Sequence, residues 1–520
     1  MNISLLLHTL AHLKPIQIFY QSRYRLFRPS FHTVPYTGTA QKLSLPFLIP
    51  KGKCVQEQTF TFLNLSAPFI SWNDTRQGML WTYNLNYMDW LQQEDISWKE
   101  GEQWIDRFIT DLPQNKIGLD PYPIALRGIN WIKFITQHAE SIIKQKIHSW
   151  NQSLYAQYQL LTQKLEYHLL GNHLLEDAYS LFFGALYFAD ISFYQKATKL
   201  LSSELNEQVL SDGAHYEQSP MYHCILLERL LDCYNLSIHN SIFKGQDSFT
   251  QLLKQKAQAM LGHLESILYE DKTYPLFNDS ATGIAPLPRC LFRYASQLGI
   301  IWNRLPLEAC GYRHFKNMVF EGFTDTGNLT ATYQPGHSHA DTFTYELRIK
   351  GNPFIIDTGI STYNKNQRRQ LERSTKAHNT VVVSHQDSSE VWGGFRVGRR
   401  AHVTLHTDTS TCLEATHDGF GKKALHRRRF ELNDNVFTIT DNITSELPAC
   451  SYIHFAPDVN VLSCDNQLLS TDKGIIRFDN AEAVEIRYGK TSTAYNCLRK
   501  TAIAVIHFKK HSTYHISLPE

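Results

Sequence analysis

The sequence predicts a helical domain over residues 1–310 followed by an antiparallel β-sandwich over residues 311–520. Three observations carry this. The 520-residue chain is too long for one ordinary hydrophobic core, so two domains are expected. From about residue 70 to 305 the apolar residues recur at helical spacing. After residue 311 they alternate with polar ones, the period of a half-buried strand.

The opening MNISLLLHTLAHLKPIQ has a short apolar run without a basic leader or a small-residue cleavage site. It reads as an amphipathic helix and not as a signal peptide, which makes a cytoplasmic location the expectation, with periplasmic or non-classical export as the alternative. Leu174, Ala178, Leu181 and Phe182 follow i, i+4, i+7, i+8, and Leu227, Leu230, Leu231 and Tyr234 repeat the stripe. The breaks, Gly171-Asn172 and Ser211-Asp212-Gly213, are short, so consecutive helices should be antiparallel neighbours that stack as a solenoid or curl into a toroid. Tyr345, Leu347 and Ile349 then alternate with Thr344, Glu346, Arg348 and Lys350. The turn Gly351-Asn352-Pro353 leads to a second run, Phe354 to Asp357, and further runs lie at 380–384, 436–440, 502–508 and 513–518.

Composition narrows the function. At 42% hydrophobic, 19% charged and net +2, the chain has no global bias toward nucleic acid. No apolar run reaches the length of a membrane span. Nine cysteines without regular spacing do not read as a disulfide framework, and Cys224 and Cys233 suit buried helix positions.

Four segments could carry chemistry. In GNHLLED, Gly171 can end one helix and Asn172 can cap the next, while His173 and Glu176 are i, i+3 neighbours, so the carboxylate could orient or charge-tune the imidazole. In SDGAHYEQSPMYH, Ser219 and Pro220 open a helix whose first turn holds Tyr222, and His215, Tyr216 and Glu217 suggest a wet cleft. In PGHSHADTF, an extended chain would put His337, His339 and Asp341 on one face; with Asp357 and His378, His339 offers imidazole and carboxylate donors suited to a Zn²⁺-type ion, and Asp341 an outer acceptor. Arg127, Asn130 and Trp131 share a helical face on which a guanidinium and an aromatic plane suit an acidic sugar. Each has an ordinary structural reading: a cap, a packed tyrosine, satisfied loop residues, a helix face. The run His426-Arg427-Arg428-Arg429 reads as a strand with solvated arginines.

Together GNHLLE, DGAHYEQSPMYH, PLFNDS, PGHSHADTF and AHNTVVVSHQDSSE, in that order, resemble the heparinase II/III family of polysaccharide lyases. The resemblance implies an incomplete (α/α) toroid followed by an antiparallel β-sandwich, and β-elimination on a uronate-containing, glycosaminoglycan-like polysaccharide. It implies that Asn172, assisted by His173, neutralises the substrate carboxylate. Tyr222 is then the catalytic acid, and for some substrates also the base, with His337 the base for the opposite epimer. His339, Asp357 and His378 would hold a structural divalent ion, Zn²⁺ first, with Mn²⁺ or Ca²⁺ as alternatives. Arg127, Asn130, Trp131, Glu176 and Tyr216 are the expected substrate-side residues. The expected partner is an acidic polysaccharide or oligosaccharide, with no nucleic acid and no membrane span; a metal-dependent hydrolase and a non-catalytic glycan-binding protein are the competing readings.

Overall fold

The computed structural model describes residues 3–519. Twelve α-helices are defined: α1 Ile3–Leu10, α2 Pro15–Leu26, α3 Met79–Tyr87, α4 Trp98–Asp111, α5 Pro121–His138, α6 Lys144–Gln163, α7 Gly171–Phe188, α8 Ile191–Gln208, α9 Pro220–His239, α10 Gln246–Ser266, α11 Pro288–Gln297 and α12 Gln367–Glu372. α3 to α11 pack as antiparallel hairpins that curl into an incomplete (α/α) toroid. Between α2 and α3 lies a three-stranded antiparallel sheet, Val55–Gln56, Thr59–Phe62 and Leu65–Pro68, which helical periodicity could not reveal.

α7 shows why this half closes on itself. Of its eighteen residues only His173 escapes burial. A helix that is apolar all round must be packed all round. α7 therefore occupies the middle of the toroid, with α5, α8 and α9 against it. Punctuation follows the sequence at α9, where Pro220 takes the first position and the Ser219 hydroxyl accepts the Tyr222 N–H at 3.2 Å. It departs from the sequence at α7. Leu170 is the cap residue, with φ 62°, and Asn172 already stands inside the first turn.

The second half is the β-sandwich. A four-stranded antiparallel sheet, in the order Tyr312–Lys316, Phe320–Asp325, Tyr345–Ile349 and Asn352–Ile355, opens it. An eight-stranded sheet runs from Val403–Asp408 at one edge to Val461–Cys464 at the other, and a four-stranded sheet joins Ala483–Ala494, Cys497–Phe508, Ala449–His454 and Val381–Val383. Phe320, Leu347, Phe354, Phe430, Ile439, Ile453, Ile506 and Tyr514 meet in the core between them.

The strand His426–Leu432 corrects one expectation. Arg427 is solvated, but Arg428 is buried and its guanidinium forks onto Asp441, with Nε at 2.7 Å and Nη2 at 2.8 Å from the two carboxylate oxygens. Strand alternation sends every second residue inward, so one arginine of the run had to be paired.

PGHSHADTF also departs from expectation. It forms a looped segment with turns at Gly336-His337 and Thr342-Phe343, and Phe343 has φ 69°. Residues two apart therefore do not share a strand face. His337 and His339 are brought together by a common partner instead.

Candidate active site

The partner is Asp279, in the loop between α10 and α11. Its Oδ2 accepts His337 Nδ1–H at 2.8 Å and its Oδ1 accepts His339 Nε2–H at 2.8 Å. Arg369, on α12, closes the group with Nη1 on Oδ1 and Nη2 on Oδ2 at 2.7 Å. Asp279 and Arg369 are fully buried. Burial alone would raise the Asp279 pKa, but the guanidinium and the two imidazole donors reverse that and hold it well below the ordinary carboxylate range. Asp279 thus fixes the His337 tautomer, leaving the Nε2 lone pair free.

His337 packs against Tyr222, ring centroids 3.9 Å apart. The Tyr363 hydroxyl lies 3.2 Å from the Tyr222 hydroxyl and 3.3 Å from His337 Nδ1. Burial pushes the Tyr222 pKa above the usual phenol value, and the Asp279 and Glu217 carboxylates add to this despite the Tyr363 hydrogen bond. A phenol in that condition keeps its proton. Tyr222 comes from the helical half, His337 and Tyr363 from the β half, so the group lies on the seam between domains.

Across from them lies the first turn of α7. Gly171 has φ 61°, and a Cβ there would meet Glu217 Oε1 at 2.7 Å, so only glycine lets the carboxylate approach. Glu217 Oε1 accepts the Asn172 backbone N–H at 2.9 Å, and Asn172 Nδ2 donates to Oε1 at 3.0 Å and Oε2 at 2.9 Å. An anion at a helix N-terminus is electrostatically favoured. Oε2 is also 3.6 Å from His337 Nε2. Asn172 is therefore buried and occupied by Glu217.

Its neighbour His173 is the more open of the two, with a 29% exposed side chain. Its Nδ1 meets Glu166 Oε2 at 3.0 Å. Burial works against the charged ring, but Glu166, with Glu217 and Glu176 beyond, outweighs it and raises the pKa above the ordinary histidine value. The ring packs at a tilt against Tyr122 at 4.8 Å, Tyr122 against Tyr87 at 5.7 Å, and Tyr87 against Tyr83 at 6.1 Å, a row of aromatic rings in the helical half.

Several expected substrate contacts are corrected. Arg127, Asn130 and Trp131 are buried, because α5 is packed on all sides. Arg127 donates to Gln157 Oε1 at 2.6 and 2.8 Å, to the Asn86 carbonyl at 3.0 Å and to the Gly118 carbonyl at 2.8 Å, while burial without a carboxylate partner brings its pKa down to about 9. Asn130 donates to the Tyr87 carbonyl at 3.0 Å and Trp131 to Met88 Sδ at 3.1 Å. These three brace α3 and the aromatic row from behind. Glu176 does not orient His173; it is buried near Arg229 at 3.5 Å, and burial takes its pKa up to about 7. Tyr216 is buried, its hydroxyl donating to the Tyr333 hydroxyl at 3.1 Å. His215, Tyr216 and Glu217 line no wet cleft: all three are buried.

His339, Asp357 and His378 lie behind the seam. His378 Nδ1 meets Asp357 Oδ2 at 2.7 Å, and the His339 and His378 rings are 5.2 Å apart. His339 Nδ1, His378 Nε2 and Asp341 Oδ2 are buried without hydrogen-bond partners. Unpaired imidazole nitrogens and a carboxylate oxygen in one dry cluster are the donor chemistry of a divalent cation. Among the described residues, one group gathers three donors of different residues within 4.8 Å of one another, and it is another one: Asp212, His263 and Cys310, all buried, which could hold a metal ion.

Tyr363, Arg369, Glu166 and Asp279 were not singled out from the sequence as site residues, and Glu217 was read only as a cleft neighbour. Glu217 and Asp279 stand inside the recognised segments EQSPMYH and PLFNDS, which was the available signal; Tyr363 and Arg369 carried none.

Profiles of two family domains match the chain: heparinase II/III N-terminus over residues 127–293 and heparinase II/III-like, C-terminal, over 302–517. The chain belongs to the heparinase II/III family. Among similar characterised proteins of this family are heparin-sulfate lyases of Pedobacter heparinus, 26% identical over 250 residues, and of Bacteroides thetaiotaomicron, 23% identical over 284 residues. The alignments take in 42% and 47% of this chain but only 36% and 39% of those proteins. A crystal structure of heparinase III superposes with TM-score 0.72 at 15% identity, covering 97% of this chain and 91% of that one. The Streptomyces coelicolor A3 chondroitin AC lyase complexed with chondroitin sulphate superposes with TM-score 0.52 at 10% identity, over 85% and 74% of the two chains. These likenesses establish the toroid-plus-sandwich fold for this heparinase II/III family member.

Proposed function

We propose that this heparinase II/III family member is a polysaccharide lyase that cleaves uronate-containing, glycosaminoglycan-like chains by β-elimination. The observation that carries the reading is the contact of a protonated phenol, Tyr222, with an imidazole, His337, whose tautomer Asp279 fixes, at a domain seam. Elimination needs three services. The uronate carboxylate must be neutralised to acidify the C5 proton, and His173, whose charged form Glu166 favours, is placed to do this, with the Asn172 amide, held by Glu217, beside it. A base must take the C5 proton, and His337 Nε2, whose lone pair Asp279 leaves free, is placed to do so. An acid must protonate the departing glycosidic oxygen, and Tyr222 delivers that proton; the C4–O bond breaks as the C4=C5 bond forms.

The unpaired nitrogens of His339 and His378, with Asp357, which already meets His378 Nδ1, would hold a divalent ion of the Zn²⁺ type, which when bound would supply a structural cross-link behind His337. The names of the relatives favour heparan-type glycans as the first substrates to test.

A screen of uronate polysaccharides for the ultraviolet absorbance of unsaturated products tests the activity. Tyr222→Phe should then lose about 10²–10⁴-fold in rate while keeping its fold. Retention of more than about a tenth of the rate by that variant, or products without the chromophore, would overturn the assignment.

A further inference from the structure

We propose that α1 and α2 form a peripheral docking surface for an anionic phospholipid bilayer. The two helices are held by their inner faces. His8 Nδ1 meets Glu390 Oε2 at 2.8 Å and Thr9 Oγ1 accepts Trp392 Nε1–H at 3.1 Å. Tyr24 donates to the Leu165 carbonyl at 2.6 Å, and Tyr20 stacks on Tyr167 at 4.6 Å. Their outer faces are apolar and open to solvent. Ile3, Leu7 and Leu10, at i, i+4 and i+7 of α1, are 71%, 60% and 42% exposed. On α2, Ile16, Phe19, Arg23 and Leu26 share one stripe, with Ile18 and Arg25 along its border. Phe19 and Leu26 are 59% and 77% exposed, and Phe27, just beyond, 70%. Eight of the 22 exposed large hydrophobic side chains among the described residues fall within residues 3–27. An ordinary surface scatters such residues singly; a concentration of them on two consecutive helices marks an interaction site.

Charge selects the occupant. The first acidic residue of the sequence is Glu57. Arg23, Arg25 and Arg28 are exposed around the apolar stripe, and none forms an ion pair among the described residues. An apolar stripe edged with arginine, on helices that carry no carboxylate of their own and meet Glu390 and Glu207 only through His8 and Lys14, fits the headgroup boundary of an anionic leaflet, with the apolar side chains in the acyl region and the guanidiniums at the phosphates. The surface lies on a membrane and does not cross it: α2 has 12 residues, and no helix among the described residues is long and apolar enough to span.

The geometry ties this surface to the seam. Buried Gln17, on the inner face of α2, donates its side-chain amide to the Leu169 carbonyl and the Tyr333 carbonyl, both at 3.2 Å. Those carbonyls precede Asn172 on the helical side and His337 on the β side. A bilayer holding α2 would hold the loops of both domains next to it.

Co-sedimentation of the full chain with vesicles tests the proposal. Binding is expected to phosphatidylcholine vesicles containing phosphatidylglycerol, weakening as salt is added, with little binding to phosphatidylcholine alone. Phe19→Ser with Leu26→Ser should abolish it, and replacing Arg23, Arg25 and Arg28 by Gln should weaken it roughly fivefold per arginine. These side chains point outward, so melting temperature should not change. Absence of binding to the anionic vesicles, or equal binding to both kinds, overturns the proposal. So does light scattering that shows a dimer split by the Phe19/Leu26 variant without vesicle binding, which would make the patch a contact between copies.

Discussion

Replacing Asp279 by Asn tests the hub of the seam, because the amide keeps the shape and removes the charge. Two costs follow from the geometry. Arg369 is fully buried and its fork rests on Asp279, so neutralising the carboxylate strands a guanidinium. Breaking a buried pair from one side costs about 3–5 kcal/mol. For a folding unit near the size of the β half, that lowers the melting temperature by roughly 6–20 °C. The second cost is catalytic. The introduced amide can present an N–H to His337 Nδ1, favouring the tautomer whose proton sits on Nε2, where the base needs a lone pair. The same wrong-tautomer substitution in a serine protease triad costs about 10⁴-fold. Arg369→Gln separates the two effects, since it breaks the pair but leaves Asp279 on His337. Calorimetry and the rate of unsaturated-product formation, measured well below either melting point, should show both variants destabilised and only Asp279→Asn slowed by several orders of magnitude. If folded Asp279→Asn keeps its rate within about tenfold, His337 is not a base oriented by Asp279.

Tyr363→Phe removes one hydroxyl from Tyr222 and His337 and should slow turnover by roughly tenfold, the worth of one or two neutral hydrogen bonds, with KM little changed; a loss as large as that of Tyr222→Phe would make Tyr363 the acid. His173 has its pKa raised in the fold, so its charged form contributes stability that is complete below the unfolded value of about 6.5 and fades as pH climbs through the folded value. Uronate affinity should fade in the same window, and a KM that falls as pH rises there would contradict the role. His339→Ala and His378→Ala should lower bound divalent metal and melting temperature together, whereas His337→Ala should lose activity and keep its metal; elemental analysis of the three proteins decides, and loss of metal from His337→Ala alone would exchange the two histidines of HSH.

The change of period near residue 311 was readable because both halves bury one set of apolar residues at a fixed repeat. α5 was misread for a related reason. A polar stripe on a helix looks alike whether it meets solvent or, as with Arg127 and Asn130, neighbouring backbone carbonyls. Spacing cannot say which. PGHSHADTF was misread because alternation in sequence implies one face only if the backbone is extended, and here it turns. The resemblance pointed to Asn172, Tyr222 and His337 but not to the groups that hold His337: Asp279 is 58 residues from His337 and Arg369 is 90 from Asp279. No local pattern links residues so far apart.

That one carboxylate serves two histidines and an arginine across a domain boundary has a bearing on exchange between relatives. Asp279 belongs to the helical half; its three partners belong to the other. A graft that imports either half alone must bring a surface whose counter-charges already match, or the chimera inherits an ion stranded in a dry interior. The halves are therefore inherited as a lock and its key, and variation is better sought at the aromatic row of Tyr83, Tyr87 and Tyr122, whose ring contacts with one another stay within the helical half. On the proposed lyase reading, altered glycan preference should be sought there, by exchanging the segment 79–122 alone, with the join between domains left untouched.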